Sequence, residues 1–274
     1  MTQHGPRGRG ALGHTRHVRR HYQFLDHTGP LAFAHRGGTL DGLENTMPAF
    51  QRAVDLGYRY LETDVHATAD GVLLAFHDHT LDRVTDRTGR VAVLPYAEVR
   101  RARIGGREPI PLLGDLLGAW PDVRVNIDVK EASAVGPLVS ALRRTNAFDR
   151  VCVASFSERR IAAVRAALGA RVCTALGPRG VTSLWVASRA PFLGLLARGG
   201  VPCAQVPSHT RRVRVVTPAF VAAAHRLGVQ VHVWTVNDQT EMRRLLDAGV
   251  DGIFTDELEG LRDVLAERGA WGGS

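Results

Sequence analysis

Lysine is all but missing from this sequence. Lys130 is the only lysine, and arginine supplies the rest of the 35 permanently basic residues. The two side chains differ in geometry, hydration and proton affinity, so that one position is informative. Cysteine is scarce as well. Cys152, Cys173 and Cys203 are odd in number and widely spaced, which suits neither a disulfide framework nor a zinc motif. Each lies in an apolar strand-like run, so all three read as buried core. The N-terminus is basic but has no apolar stretch of signal-peptide length, and no run approaches a membrane span, so a cytoplasmic protein without stable membrane insertion is the default expectation. Aromatics make up only 6% of the chain. The net charge of +8 therefore has no interleaved stacking platform of the kind that nucleic-acid binding needs. Much of the excess sits in Arg7, Arg9, Arg16, Arg19 and Arg20 and in Arg211, Arg212 and Arg214. A solvated basic tail is expected, with no nucleic-acid partner, although the charge helps to attract an anionic substrate.

What is present is enough apolar residue, 45% of 274, to bury one substantial core. Residues 1–28 are rich in Gly, His and Arg without periodicity and read as a mobile tail; residues 29–268 read as the folded domain. Apolar runs of strand length fall at 31–35, 60–65, 123–129, 151–155, 171–176, 203–206, 229–236 and 252–255. Helical patterns lie between most of them, clearest at 46–56, 134–145, 158–168, 217–227 and 239–248. Thr46 and Thr217, each with proline nearby, have the character of helix starts. One further run, 72–77, follows the second strand after only Ala67 to Gly71. A parallel crossover needs about a dozen residues, so this pair is an antiparallel hairpin turning at Asp70-Gly71. Setting that strand aside leaves eight, the number that closes a (β/α)8 barrel. No Gly-rich dinucleotide fingerprint follows the first strand, which disfavours an open doubly wound sheet.

A β/α barrel carries its active site at the C-terminal ends of its strands. There the first strand offers His35 and Arg36. The second holds Glu62 and Asp64 on one face, about 7 Å apart along the strand. The hairpin strand ends in His77-Asp78, and the next holds Asn126, Asp128 and Lys130 at period two. Burying three acids with one lysine is costly, and the acids repel one another. A hard divalent cation relieves both problems, and oxygen ligands suit Mg2+ or Ca2+. The competing arrangement is a salt-bridge network of Glu62, Asp128 and Lys130. His35 and His77, flanking the acids, suit an acid/base pair. Arg36 and Lys130 suit contacts to phosphate oxygens, and for Arg36 the alternative is an ion pair with Glu44. His66 and His79 read as surface residues outside the alternation. Trp234, on the face of His232 and near the barrel mouth, is either core or a wall of the substrate pocket.

The run HRGG…ENTMPAF…GYRYLETDVHATADGVLLAFHDHTLDRVT resembles the signature of glycerophosphodiester phosphodiesterases. NIDVK, VASF, QVP, VHVWTVND and GVDGIFTD resemble the later blocks, in order, so the likeness covers about residues 31–265. It implies a TIM-type barrel, a divalent metal, and hydrolysis of deacylated phospholipids to sn-glycerol 3-phosphate and an alcohol. It further implies that His35 and His77 do the acid/base work, and that Glu62, Asp64 and Asp128 are the metal ligands. Asp128 is a departure, because the family usually carries Glu there; the shorter side chain bears on metal preference or affinity. The short stretch from Thr80 to Leu112 implies a small insertion, not a large cover over the substrate. A phospholipase D-like enzyme acting on lysophospholipids or sphingolipids is the alternative, and the apolar stretch 181–198 keeps it open. The expected partner is a small-molecule diester; oligomeric state is not legible.

Overall fold

Eight of the apolar runs become parallel strands in the computed structural model, which describes residues 21–39, 42–190, 200–210 and 213–272. They are β1 (Leu31–His35), β2 (Tyr60–Ala67), β4 (Arg124–Val129), β5 (Val151–Ala154), β6 (Cys173–Thr174), β7 (Cys203–Pro207), β8 (Gln230–Trp234) and β9 (Gly252–Thr255). The expected hairpin partner is β3 (Leu73–Ala75), antiparallel to β2 with Val65 opposite Ala75. The others pair in parallel in the order β6-β5-β4-β2-β1-β9-β8-β7. A parallel bridge from Ala175 to Cys203 closes the ring. Among the described residues this is a barrel of eight parallel strands.

Helices fill the crossovers: α1 (Met47–Asp55), α2 (Leu113–Ala119), α3 (Val135–Thr145), α4 (Glu158–Leu168), α5 (Pro178–Arg189), α6 (Pro218–Arg226), α7 (Gln239–Asp247) and α8 (Leu258–Glu267). The two threonine starts act as expected. Thr46 Oγ1 accepts from the Ala49 N–H and Thr217 Oγ1 from the Phe220 N–H, which satisfies amides that the helix leaves orphaned. α1 then buries Ala49, Phe50 and Ala53 against the outer face of the barrel.

Two sequence expectations change. In the 171–176 run a 3-10 turn ends at Arg171 and the strand proper is only Cys173–Thr174, with Ala175 adding an isolated bridge to Cys203. Residues 21–28 do not behave as part of a mobile tail; the remainder of that tail, like Arg211, Arg212 and the 191–198 part of the apolar stretch, lies outside the described residues. Gln23–Leu25 forms a turn that buries Phe24 completely. Its ring stacks 6.3 Å from Phe33 and meets Tyr60 edge-on at 5.4 Å, and Tyr60 Oη donates to the Phe24 carbonyl. With Phe254 and the three free cysteines these rings fill the barrel interior beneath the cavity that Phe254 also lines. A single aromatic plug leaves no periodic trace in a sequence, which is why composition alone misreads it.

Residues 78–112, between the hairpin and α2, gather a small apolar cluster of their own around Leu81, Val91, Val99 and Ile104. This anchors the insertion beside the rim of the barrel.

Removing the plug tests its contribution. Phe24→Ala is expected to lower unfolding stability by about 3–5 kcal/mol, the range for deleting a buried aromatic; urea unfolding followed by fluorescence would show it, and an unchanged midpoint would rule it out.

Candidate active site

All eight sequence-nominated side chains line one cavity of about 430 Å3: His35, Arg36, Glu62, Asp64, His77, Asp128, Lys130 and Trp234. Strand register explains the convergence. His35 is level with Glu62 and Glu62 with Asn126, and two residues further on Asp64 is level with Asp128. Period-two alternation then turns all of them to the same side.

β1 ends in a tight turn, with Arg36 and Gly37 in the left-handed region at φ 52° and 80°. A Cβ on Gly37 would lie 3.0 Å from the backbone of Ala49 and Phe50, so only glycine lets this turn approach α1. The turn aims the Arg36 N–H at Glu62 Oε2 (3.2 Å). The guanidinium donates to Glu44 Oε1 (3.1 Å) and places Nε 3.1 Å from Asp64 Oδ2, without hydrogen-bond alignment. Arg36 therefore pairs with Glu44 and still faces the cavity.

Lys130 Nζ sits between Asp64 Oδ1 and Asp128 Oδ2, 2.7 Å from each. The salt-bridge network thus forms with Asp64 as the second acid and not with Glu62. Asp64 Oδ2 and Asp128 Oδ1 are buried without a hydrogen-bond partner among the described residues.

Both histidines have Nδ1 tied to a carboxylate, His35 to Asp256 at 2.7 Å and His77 to Asp78 at 2.5 Å. A carboxylate only accepts, so each Nδ1 carries the proton and each Nε2 is free to act. Asp78 is held in turn by Arg83, which also clamps Glu44. Asp256, Asp78, Arg83 and Glu44 were not singled out as site residues by the sequence reading. All four lie within the quoted motif blocks, Glu44 in ENTMPAF, Asp78 and Arg83 in HDHTLDRVT and Asp256 in GVDGIFTD, but no strand alternation marks them, and Arg83 reaches in from the insertion.

One expectation fails here. His66 is not a surface residue: it shares the parity of Glu62 and Asp64, is fully buried, and its Nε2–H donates to the His77 carbonyl at 2.9 Å. His232, two residues before Trp234 on the same strand, lies deeper in the barrel, buried against Phe33 and bonded to Gln230. Trp234 does line the cavity, edge-on to Phe156 at 5.5 Å, and Phe156 is 62% exposed beside Lys130.

The glycerophosphoryl diester phosphodiesterase family matches residues 35–259. The chain belongs to that family. It is 46% identical over 258 residues to a probable glycerophosphodiester phosphodiesterase 2 of Mycobacterium tuberculosis, covering 92% of this chain and 97% of the relative. It is 27% identical to the lysophospholipase D GDPD1 of Mus musculus, over 91% of this chain and 89% of that one. Among solved structures, a putative glycerophosphoryl diester phosphodiesterase from Silicibacter pomeroyi superposes with TM-score 0.75 at 25% identity, over 91% and 99% of the two chains. An Oleispira antarctica phosphodiesterase solved with sn-glycerol-3-phosphate shares the fold with TM-score 0.72 at 21% identity, over 87% and 97%. This family member is accordingly an enzyme, a phosphoric diester hydrolase. Among the described residues no helix is long and apolar enough to cross a membrane.

In this phosphodiesterase the charges are unevenly placed. Burial, then the charge on Asp64, pushes Glu62 up to about 7. Burial also opposes ionisation of Asp64, but Lys130 and Arg36 outweigh it and hold Asp64 low. Burial works against protonation of His35, yet Glu62 and the Asp256 hydrogen bond overcome it and raise its pKa. For His77 burial wins, and the pKa falls.

The metal-free protein should therefore show the two histidines titrating on opposite sides of the ordinary imidazole value. A raised folded pKa means that protonated His35 stabilises the fold at low pH, and that this contribution fades as pH rises through that pKa. Asp256→Asn should move His35 downward and leave His77 in place. Histidine-resolved NMR titration measures both, and coincident titrations would contradict the described electrostatics.

Proposed function

We propose that this enzyme hydrolyses glycerophosphodiesters to sn-glycerol 3-phosphate and an alcohol, by histidine acid/base chemistry beside a divalent cation. One observation carries the reading: a single cavity is faced by three buried carboxylates, two cationic side chains, and two histidines each anchored through Nδ1.

The donor set fits a hard ion. Asp64 Oδ2 and Asp128 Oδ1 are buried oxygens lacking donors, and Glu62 is driven toward its neutral form by burial and by Asp64. Glu62, Asp64 and Asp128 would hold Mg2+ or Ca2+, both of which prefer oxygen ligands. Such an ion supplies charge neutralisation and polarises the phosphoryl oxygen. Arg36 and Lys130 meet the non-bridging oxygens, with their positive charge already directed into the cavity. One imidazole takes the proton of the nucleophile through its free Nε2, and the other returns a proton to the leaving alkoxide. The nucleophile is water or the neighbouring glycerol hydroxyl, and trapping a cyclic glycerophosphate would sink the direct-water version.

Incubation with glycerophosphocholine or glycerophosphoethanolamine should release glycerol 3-phosphate with Mg2+ or Ca2+, and none with a chelator or in Glu62→Ala. His35→Ala and His77→Ala should each lower kcat by more than about 100-fold. Near-normal rates in either variant would remove that histidine from the mechanism.

A second reading is lysophospholipase D activity. It is favoured by the apolar side of the cavity, where Phe156, Leu176, Val181 and Trp234 form a wall, and by the likeness to a relative of that name. If an acyl chain lies on this wall, Phe156→Ala should raise KM for a lysolipid by about tenfold or more, as for loss of one aromatic contact, and leave the deacylated substrate unaffected. Equal effects on both substrates would argue against the acyl-chain role.

A further inference from the structure

Outside that cavity lies a second set of donor atoms. His66, His79 and Glu131 each bring one ligand atom to within 4.8 Å of the other two. Glu131 Oε1 is 2.7 Å from His79 Nδ1 and 4.0 Å from His66 Nδ1. The two rings meet edge-to-face with centroids 5.1 Å apart.

His66 points to a ligand. Its Nε2 meets the His77 carbonyl at 2.9 Å, and a carbonyl only accepts, so the neutral ring must carry its hydrogen there. The lone pair is therefore on Nδ1. That atom is buried, has no hydrogen-bond partner among the described residues, and faces Glu131. An imidazole whose far nitrogen donates to a backbone carbonyl while the near one offers a lone pair is the arrangement that orients metal-bound histidine.

We propose that His66, His79 and Glu131 bind one divalent first-row transition ion of the zinc type, at a site distinct from the carboxylate cluster. Two imidazoles and one carboxylate, with solvent as a fourth ligand, suit such an ion, whereas the all-oxygen cluster suits Mg2+ or Ca2+. Ligand bonds of about 2.0–2.2 Å imply donors roughly 3.4 Å apart in a tetrahedron. The observed 2.7 Å and 4.0 Å lie on either side of that spacing, so small side-chain shifts suffice. Entry is open, because the His79 side chain is 64% exposed. His79 accepts the ion at Nδ1 by shifting its proton to Nε2, and Glu131 exchanges one hydrogen bond for a metal bond. An ion here ties β2 to the segments that carry His77 and Lys130, the sequence neighbours of two of its ligands.

The test uses the full chain, stripped with chelator, returned to saturating Mg2+, and titrated with Zn2+ in equilibrium dialysis. Wild type should bind one equivalent more than His79→Ala, a variant at an exposed position. Glu131→Gln should weaken that equivalent by at least about tenfold. Co2+ in place of Zn2+ should give a visible absorption band that His79→Ala lacks. Equal zinc uptake and equal affinity in wild type and both variants would overturn the proposal, however many ions other histidines or the thiols take up.

Discussion

The parallel register of β2 against β4 sets Asp64 beside Asp128, with Glu62 beside Asn126 one layer down. Neighbouring strands lie about 4.8 Å apart, so this register alone obliges carboxylates to share a narrow, water-poor space. Burying such groups is costly unless opposite charge is close. Lys130 follows Asp128 by two residues, emerges on the same face, and touches both aspartates. A compact ammonium with three rotatable donors fits between two single oxygens, where a planar guanidinium would favour one carboxylate bidentately. One positive charge does not balance the cluster, however. Glu62 is left to His35 and the Arg36 N–H, and burial, then the charge on Asp64, keeps its pKa raised.

From that deficit charge alternates outward. Asp64 faces Arg36, Arg36 pairs with Glu44, Glu44 with Arg83, Arg83 with Asp78, and Asp78 with His77. Exposed pairs taken singly contribute little. The pairs at Arg36 are shielded while Arg83 is half exposed, but all are geometrically chained, and their consequence is orientation: His77 is fixed by a partner that is itself fixed. Arg83 belongs to the insertion, whose own apolar cluster holds it in place. The insertion thereby contributes to the order of the site without covering it.

Strand periodicity explains how much of this was legible from residues alone. Charged residues at alternate positions of an otherwise apolar run have few structural explanations, so Glu62, Asp64, Asp128 and Lys130 stood out, and the turn chemistry of Asp70-Gly71 marked the hairpin. Interactions between segments far apart in sequence left no such mark. Asp256 lies 221 residues from His35, and the pairing of Arg83 with Glu44 spans 39. The apolar run that signals the second strand stops at residue 65, whereas β2 runs to Ala67, so the alternation that turns Glu62 and Asp64 inward buries His66 as well. Phe24 was missed for a different reason, since burial by plugging a barrel end needs no periodicity at all.

The cavity is divided according to strand order. Its charged side comes from β1, β2 and β4, while β5 to β8 and the chain just beyond them supply Ala154, Phe156, Ala175, Leu176, Pro207 and Trp234. Asn126 and Gln205 exchange hydrogen bonds at 2.7 Å and 3.3 Å where the two sides meet, satisfying both amides across the barrel. On the proposed reading a phosphodiester held at the charged side sends one ester arm toward that apolar and aromatic wall. Reaction chemistry and substrate choice then rest on different strands. The first half of the barrel carries the buried carboxylates and their cationic partners. On the same proposed reading, discrimination among head groups falls to the second half, whose exposed Phe156 offers a π-face to a quaternary ammonium as readily as an apolar surface to an acyl chain.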